Sequence, residues 1–302
     1  MDLMRTFFLA LNGMQYIKNL MRYYKDFCLV LCTWKGIGDV CIACAYFMQY
    51  NEKINKKTKL VICENGCAIA ERFGISRENM ILVPYKKIVC LDKVIHLTIF
   101  RHWINKWSEK KKILVTSPWY YSSYKLANIP GFSALDITKF GVYSGCNDWR
   151  PSYPHVKTES FINILSKPYI ILNPFSNSNS VPAKIFEEIS QRLQEKGYTV
   201  YTNLASKQKE IPGTLPLNVS IDELYLLSGE AECIISIRSG ILDYIISNTK
   251  RIVSVYNDSF AYITPSFYSL EKWETGCEIF NHIYPNSVDI DEIVQEATGN
   301  AD

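Results

Sequence analysis

Short apolar runs, each ending in a polar turn that leads into a helical pattern, recur along this chain and restrict it to a parallel α/β fold. Strand-like runs fall at Phe27–Cys32, Leu60–Cys63, Met80–Val83, Lys93–Leu97 and Lys112–Thr116. They resume at Tyr169–Leu172, Tyr198–Tyr201, Glu232–Ser236 and Arg251–Val255. Helical patterns lie between them at Val40–Tyr50, Ala68–Phe73 and Gly240–Ser247, and at Pro182–Lys196, where Ile185, Phe186, Ile189 and Leu193 share one face and Gly197 supplies the C-cap. Ser220-Ile221-Asp222-Glu223 has the form of a capping box opening a helix that ends near Gly229. From Pro118 to Pro154 the pattern dissolves into Tyr, Ser, Gly, Pro and Trp, as loops approaching a linker do. A chain of 302 residues with 48% apolar content suits two cores better than one. The expected organisation is an amphipathic helix over residues 1–26, a doubly wound domain over 27–155 and a second over 156–302.

Two of the strand-to-helix turns carry chemistry. The second-half turn, Ser236-Ile237-Arg238-Ser239-Gly240-Ile241-Leu242-Asp243, follows an apolar run and opens a helix. A helix starting there points the backbone N–H groups of Ser239, Gly240 and Ile241 at an anion above the strand end. Arg238 adds a fork of donors suited to phosphate oxygens. The same residues also fit a plainer arrangement, with Ser239 capping the helix and Arg238 paired to a carboxylate. Asp243 lies four residues after Ser239 on the same helix face, where it orients Arg238, contacts a donor hydroxyl or serves as a buried cap partner. The first-half turn, Thr33-Trp34-Lys35-Gly36-Ile37-Gly38-Asp39, places a carboxylate after two glycines at the start of a helix. The helix dipole favours its ionised form, so Asp39 is either a proton acceptor or a helix cap.

The net charge of +3 conceals an asymmetry: residues 1–165 hold 23 Lys/Arg against 12 Asp/Glu, and residues 166–302 hold 10 against 18. A basic half attracts anionic partners, and no nucleic-acid-binding motif accompanies it, which favours an anionic acceptor or membrane surface over RNA or DNA. Leu3, Met4, Phe7, Phe8, Leu11, Met14, Ile17, Met21 and Tyr24 recur at helical spacing with Arg5, Lys18, Arg22 and Lys25 among the polar positions. That pattern fits an interfacial membrane helix, and equally a helix packed on its own domain or on a partner subunit. Ten cysteines without a convincing signal peptide point to a reducing compartment, hence the cytoplasm, with the inner face of the cell membrane as the surface within reach. Cys41-x-x-Cys44 with Cys63-x-x-x-Cys67 has the outline of a four-thiolate metal site, but Cys28 and Cys32 lie within an apolar strand-like run and Cys41 and Cys44 within an apolar helix-like run, where cysteine acts as a small hydrophobe, so no metal is expected. Asp289-Ile290-Asp291 reads as helix-capping charge. The aromatic cluster Trp103, Trp107, Trp119, Tyr120, Tyr121 and Tyr124 is either core or a sugar-stacking surface.

With these elements placed, the chain resembles the GT-B glycosyltransferases, and among them the bacterial heptosyltransferase-type family. The likeness rests on Cys28 to Tyr50 with Gly38-Asp39, on Asn173-Pro174-Phe175-Ser176 followed by Val181-Pro182, on Val219-Ser220-Ile221-Asp222-Glu223-Leu224, and on Arg238-Ser239-Gly240-Ile241-Leu242-Asp243. Arg238 and Asp243 stand where that family has Asp and His, and Asn179 where it has Lys; an arginine ahead of Ser-Gly is similar to the fucosyltransferase branch of the fold. The resemblance implies two Rossmann-like domains facing across a cleft, the first binding acceptor and the second binding donor. It implies sugar transfer from a nucleotide-sugar donor to a glycan or lipid-linked acceptor in surface polysaccharide biosynthesis, without cofactor or metal. Asp39 is then the catalytic base. Arg238, Ser239, Gly240, Asp243, Asn173 and Ser176 form the donor side, and Lys35, Gly38, Trp119 and Tyr120 the acceptor side. A Rossmann-type oxidoreductase is disfavoured, because Cys41 stands where a dinucleotide fingerprint needs its third glycine. A non-catalytic nucleotide- or carbohydrate-binding protein of the same fold remains the alternative.

Overall fold

The computed structural model describes residues 3–53, 57–117, 132–143, 148–157, 165–176, 180–204, 208–259 and 264–299. The chain divides into two compact units, Met1–His155 and Val156–Asp302.

The first unit opens with α1 (Leu3–Tyr23) and continues β1 (Cys28–Leu31), α2 (Ile37–Cys44), α3 (Phe47–Lys53), β2 (Thr58–Cys63), α4 (Cys67–Arg72), β3 (Met80–Val83), α5 (Tyr85–His96), α6 (Thr98–Glu109) and β4 (Ile113–Val115). The four strands are parallel in the order β3-β2-β1-β4. All of β1 is buried, as its unbroken apolar sequence requires of a central parallel strand. The chain leaves β1 through β2 to β3 and returns to pair β4 on the other side of β1, so the strand order reverses between β1 and β4. Helix α1 contributes Ala10, Met14, Ile17 and Leu20 to the core beneath the sheet, beside Ile88, Leu91 and Val94 of α5. Gly13 makes that approach possible: a Cβ there would lie 2.3 Å from the Cys90 carbonyl oxygen. The first helix is thus packed on its own unit.

Two expectations are corrected here. Lys93–Leu97, read as a strand, is the end of α5 and the turn after it. Five residues cannot separate a buried strand from a buried helix face, whereas Ile88, Leu91, Val94 and Ile95 together show the helical period. The single helix expected over Val40–Tyr50 breaks at Ala45–Tyr46, between α2 and α3. Its carbonyls are captured from outside the helix, with Tyr143 Oη donating to Ala43 O at 2.7 Å and Ser152 N donating to Ala45 O at 2.7 Å. Those partners come from the segment expected to be loop. Within it, Ala134–Asp136 forms a helical turn behind a Ser133–Asp136 capping box and runs into a π-helical turn at Ile137–Val142.

The second unit comprises β5 (Tyr169–Asn173), α7 (Ala183–Glu195), β6 (Thr199–Asn203), β7 (Leu215–Leu217), α8 (Ile221–Ser228), β8 (Cys233–Ile237), α9 (Gly240–Ile245), β9 (Arg251–Asn257), β10 (Glu278–Tyr284) and α10 (Ile290–Thr298). Its sheet is six-stranded and parallel, in the order β10-β9-β8-β5-β6-β7. The chain winds outward from β5 through β6 and β7, then outward again on the other side through β8, β9 and β10, so the order reverses between β5 and β8. Phe186, Ile189 and Leu193 of α7 and Ile293, Val294 and Ala297 of α10 fill the core. The Ser220–Glu223 capping box forms as expected. Asp289 caps α10, its carboxylate accepting from the N–H groups of Asp291 and Glu292. Strands β7 and β10 carry no sequence signal of the kind that marks the others. They are the edges of the sheet, and an edge strand need not be apolar on both faces.

Candidate active site

In open parallel sheets ligands sit beyond the strand C-termini, where the strand order reverses. In the first unit that point lies between the loops after β1 and β4. The β1 loop carries Thr33, Lys35 and Gly36, and Gly38 and Asp39 lie in the first turn of α2. The Asp39 carboxylate folds over Gly36, where a Cβ would meet its Oδ2 at 2.6 Å. Buried Cys32 lies underneath, its thiol pushed up to about 12 by burial and then by the Asp39 charge. It is therefore an inert neighbour and not a nucleophile. Lys35 is exposed, with its ammonium 4.4 Å from the centre of the Tyr85 ring and Nζ 3.3 Å from Tyr85 Oη. Tyr85 follows Pro84 at the end of β3, so residues far apart in sequence meet at one sheet edge.

Thr33 Oγ1 and Ser117 Oγ, just beyond β1 and β4, are buried and have no hydrogen-bond partner among the described residues. A buried hydroxyl left in that state costs about 1–3 kcal/mol. Thr33→Val, which keeps the side-chain shape, is therefore expected to stabilise the first unit by about 1 kcal/mol. Thermal unfolding without ligand measures this; a lowered Tm would show that the hydroxyl contributes to the fold.

In the second unit the reversal point lies between β5 and β8, and it carries a continuous polar network. Asn173 ends β5 and is 3% exposed. Its Nδ2 donates to Ser236 Oγ at 2.9 Å and to Ser239 Oγ at 3.3 Å, and its Oδ1 accepts from Asn203 Nδ2 at 3.0 Å. The C-terminal ends of β6, β5 and β8 are thereby tied together by side chains. Ser239 is the N-cap of α9 and makes no side-chain bond to the helix backbone, so its hydroxyl serves the Asn173 network instead.

Arg238 and Asp243 form a buried bidentate pair, 4% and 3% exposed at their side chains. Nη1 donates to Asp243 Oδ2 at 3.0 Å and Nη2 to Oδ1 at 2.7 Å. Two further donors are held by backbone: Nε reaches Tyr268 O at 3.0 Å and Nη1 reaches Ser239 O at 2.6 Å. Burial is the largest effect and works against the charge, but the Asp243 carboxylate and the neighbouring Tyr256 and Tyr268 together outweigh burial, so the guanidinium pKa lies above its ordinary value. Asp243 Oδ1 accepts a further bond from Trp273 Nε1 at 3.0 Å. Of the arrangements open to these residues in sequence, the structure has the one in which Asp243 orients Arg238.

The structure thus gathers Asn173, Ser239, Gly240, Arg238 and Asp243 at one sheet edge and Lys35, Gly38 and Asp39 at the other. Ser176 lies half-buried in the loop after β5. Trp119 and Tyr120 lie outside the described residues. Sequence reasoning missed Thr33, Tyr85, Ser117 and Asn203; the signal shared by all four is a polar residue at or just beyond the C-terminal end of a strand, for Tyr85 after the proline that follows β3. Among the described residues no group of His, Cys, Asp and Glu side chains is placed to hold a metal ion.

Two parallel α/β units in one chain, each with its polar residues drawn to the reversal point, have the fold of the GT-B glycosyltransferases. A family 9 glycosyltransferase from Veillonella parvula shares the fold at 12% identity, with 91% of this chain and 96% of that one covered and a TM-score of 0.57. The Escherichia coli heptosyltransferase WaaC, solved with ADP, gives 12% identity, coverage of 91% and 100%, and a TM-score of 0.57. The E. coli ADP-heptose LPS heptosyltransferase II gives 13% identity, coverage of 91% and 98%, and a TM-score of 0.53. No protein-family model matches the sequence, and no curated protein matches it.

Proposed function

We propose that this chain is a metal-independent glycosyltransferase, moving a sugar from a nucleotide-sugar donor to a glycan or lipid-linked acceptor in bacterial surface polysaccharide biosynthesis. The observation that carries this reading is the placement of Asp39 and of the Asn173–Ser239 network at the two reversal points of a fold shared with heptosyltransferases, one of them solved with ADP.

In this reading Asp39 accepts the proton of the acceptor hydroxyl as that oxygen bonds to the anomeric carbon. The bond from the anomeric carbon to the donor phosphate breaks, and its electron pair leaves on the nucleoside diphosphate. The N–H groups of Gly240 and Ile241, which by helix geometry have no partner within α9, stabilise the departing charge together with the Ser239 hydroxyl. Arg238 is a positioning residue, holding the turn in shape from within. The fucosyltransferase-like Arg-Ser-Gly order then serves the architecture of the turn. Lys35 supplies positive charge on the acceptor side, and Trp119 and Tyr120 complete that side.

A thermal-shift panel of GDP, UDP, dTDP, ADP and CMP, with and without a divalent ion, tests the proposal, because a ligand that binds only the native state raises Tm. A rise with one nucleoside diphosphate, by at least about 2 kcal/mol of stabilisation at a hundredfold excess over Kd and indifferent to the ion, is the expected result. No rise with any nucleotide overturns it. Binding without turnover of the matching sugar nucleotide would select the non-catalytic alternative.

A further inference from the structure

Helix α1 buries one face and leaves another apolar face open. Leu3 is 80% exposed and Phe8 57%, with Met4, Phe7 and Leu11 beside them on the same arc of the helix. Further along that arc the residue type changes: Gln15, Lys18 and Arg22 continue the stripe and are all exposed. The open face is therefore apolar towards the start of the helix and basic towards its end. The core does not require this face, since Ala10, Met14, Ile17 and Leu20 already bury the other side.

Helix α6 extends the same surface. The Phe7 ring lies 5.8 Å from that of Phe100, which fixes the first turns of α1 beside the first turn of α6. There α6 exposes Ile99 at 66% and, one turn on, Trp103 at 51%. The Lys106 ammonium stands 5.9 Å from the Trp103 ring centre. The two helices together carry Arg5, Lys18, Arg22, Arg101 and Lys106 against a single acidic residue, Glu109. No helix among the described residues is long and apolar enough to cross a membrane.

We infer that the α1–α6 face docks on an anionic lipid bilayer, with Leu3, Phe8, Ile99 and Trp103 entering the acyl boundary and the flanking Lys and Arg side chains meeting the headgroups. An apolar patch of this kind needs a covering partner. Charge identifies it, because a second copy would bring two basic rims together, whereas acidic headgroups neutralise them and aromatic and aliphatic side chains partition at that depth. The surface is separate from the strand-end residues, so this docking does not rest on the proposed transferase activity.

Vesicle flotation of the full chain tests it, using phosphatidylcholine alone and phosphatidylcholine with about one third phosphatidylglycerol. The wild type is expected to float with the anionic vesicles and at least about tenfold less with the neutral ones. A Leu3→Ser, Phe8→Ser, Trp103→Ser variant and an Arg5→Gln, Lys18→Gln, Arg22→Gln variant should each lose about tenfold or more, with circular dichroism and Tm unchanged. These positions are exposed, so folding is preserved. A wild type that stays at the bottom of the gradient overturns the inference, as does an apolar variant that floats undiminished. A concentration-dependent dimer by light scattering without flotation also overturns it, assigning the face to a second copy. The nucleotide thermal shift is read on the same preparations, so failure of docking and failure of the transferase proposal are separable.

Discussion

Asp243→Ala is expected to destabilise the second unit by about 3–5 kcal/mol, because it leaves the Arg238 guanidinium buried without its counter-ion. The side chain is 4% exposed and receives two direct bonds' worth of compensation from Asp243, which no water can replace without opening the turn. The same substitution removes the acceptor of Trp273 Nε1, itself part of a fully buried residue. For a unit of this size the loss corresponds to a fall in Tm of roughly 10 °C. Arg238→Ala should cost a comparable amount for the mirror reason, a buried carboxylate without its cation. The decisive variant is the double replacement Arg238→Met with Asp243→Leu. Removing both charges together removes both desolvation penalties and leaves only neutral groups unpaired, Trp273 Nε1 and the carbonyls of Tyr268 and Ser239, so the double variant is expected to be more stable than either single one. Recovery of stability in the double variant would identify the pair as architecture. Were Arg238 instead a direct ligand of the diphosphate, Arg238→Ala would leave Tm nearly unchanged and abolish only the response to nucleotide.

The pair shows where sequence reasoning reaches its limit. Arg238 next to Ser-Gly reads as a phosphate fork because phosphate and carboxylate present the same geometry to guanidinium. Which of them occupies the fork depends on the rotation of α9, which brings Asp243 back over its own strand end. The strands themselves were plain where they are central: β1, β5 and β8 are buried along their whole length and read as apolar runs interrupted only by Asn173 and Ser236 near their C-terminal ends. Strand β7, with Pro216 and two exposed residues, and strand β10, with Glu278 and Asn281, follow no such rule. Thr33 and Ser117 come together only through pairing across the sheet, as the bond from Thr116 Oγ1 to Leu31 O illustrates over a separation of 85 residues. Nothing local announces that pairing. The Asp39 turn, in contrast, was legible from its own residues, since two glycines and a carboxylate at a helix start are a local pattern.

Asp39→Asn is expected to lower transfer by about 10²–10⁴-fold, the range ascribed to a positioned general base. Asparagine keeps the size of the side chain and removes its ability to take a proton. It also removes a negative charge from the first turn of α2, which costs only about 0.3–1 kcal/mol, so the fold survives. Because Asp39 belongs to the first unit and the Asn173–Ser239 network to the second, the nucleotide thermal shift should persist in the variant. Loss of turnover with retained nucleotide binding is thus the expected pair of results. Gly36→Ala provides a second route to the same point without touching the carboxylate's chemistry. The added methyl would stand 2.6 Å from Asp39 Oδ2 and must displace it. A displacement on the order of 1 Å is enough to cost about 10² in rate when geometry sets the reaction. A base assignment predicts that both variants lose turnover while each keeps its nucleotide thermal shift. If instead Asp39 serves only the start of α2, both variants change Tm and neither changes the rate per folded molecule, and the proton acceptor must be sought elsewhere on the β1–β4 edge.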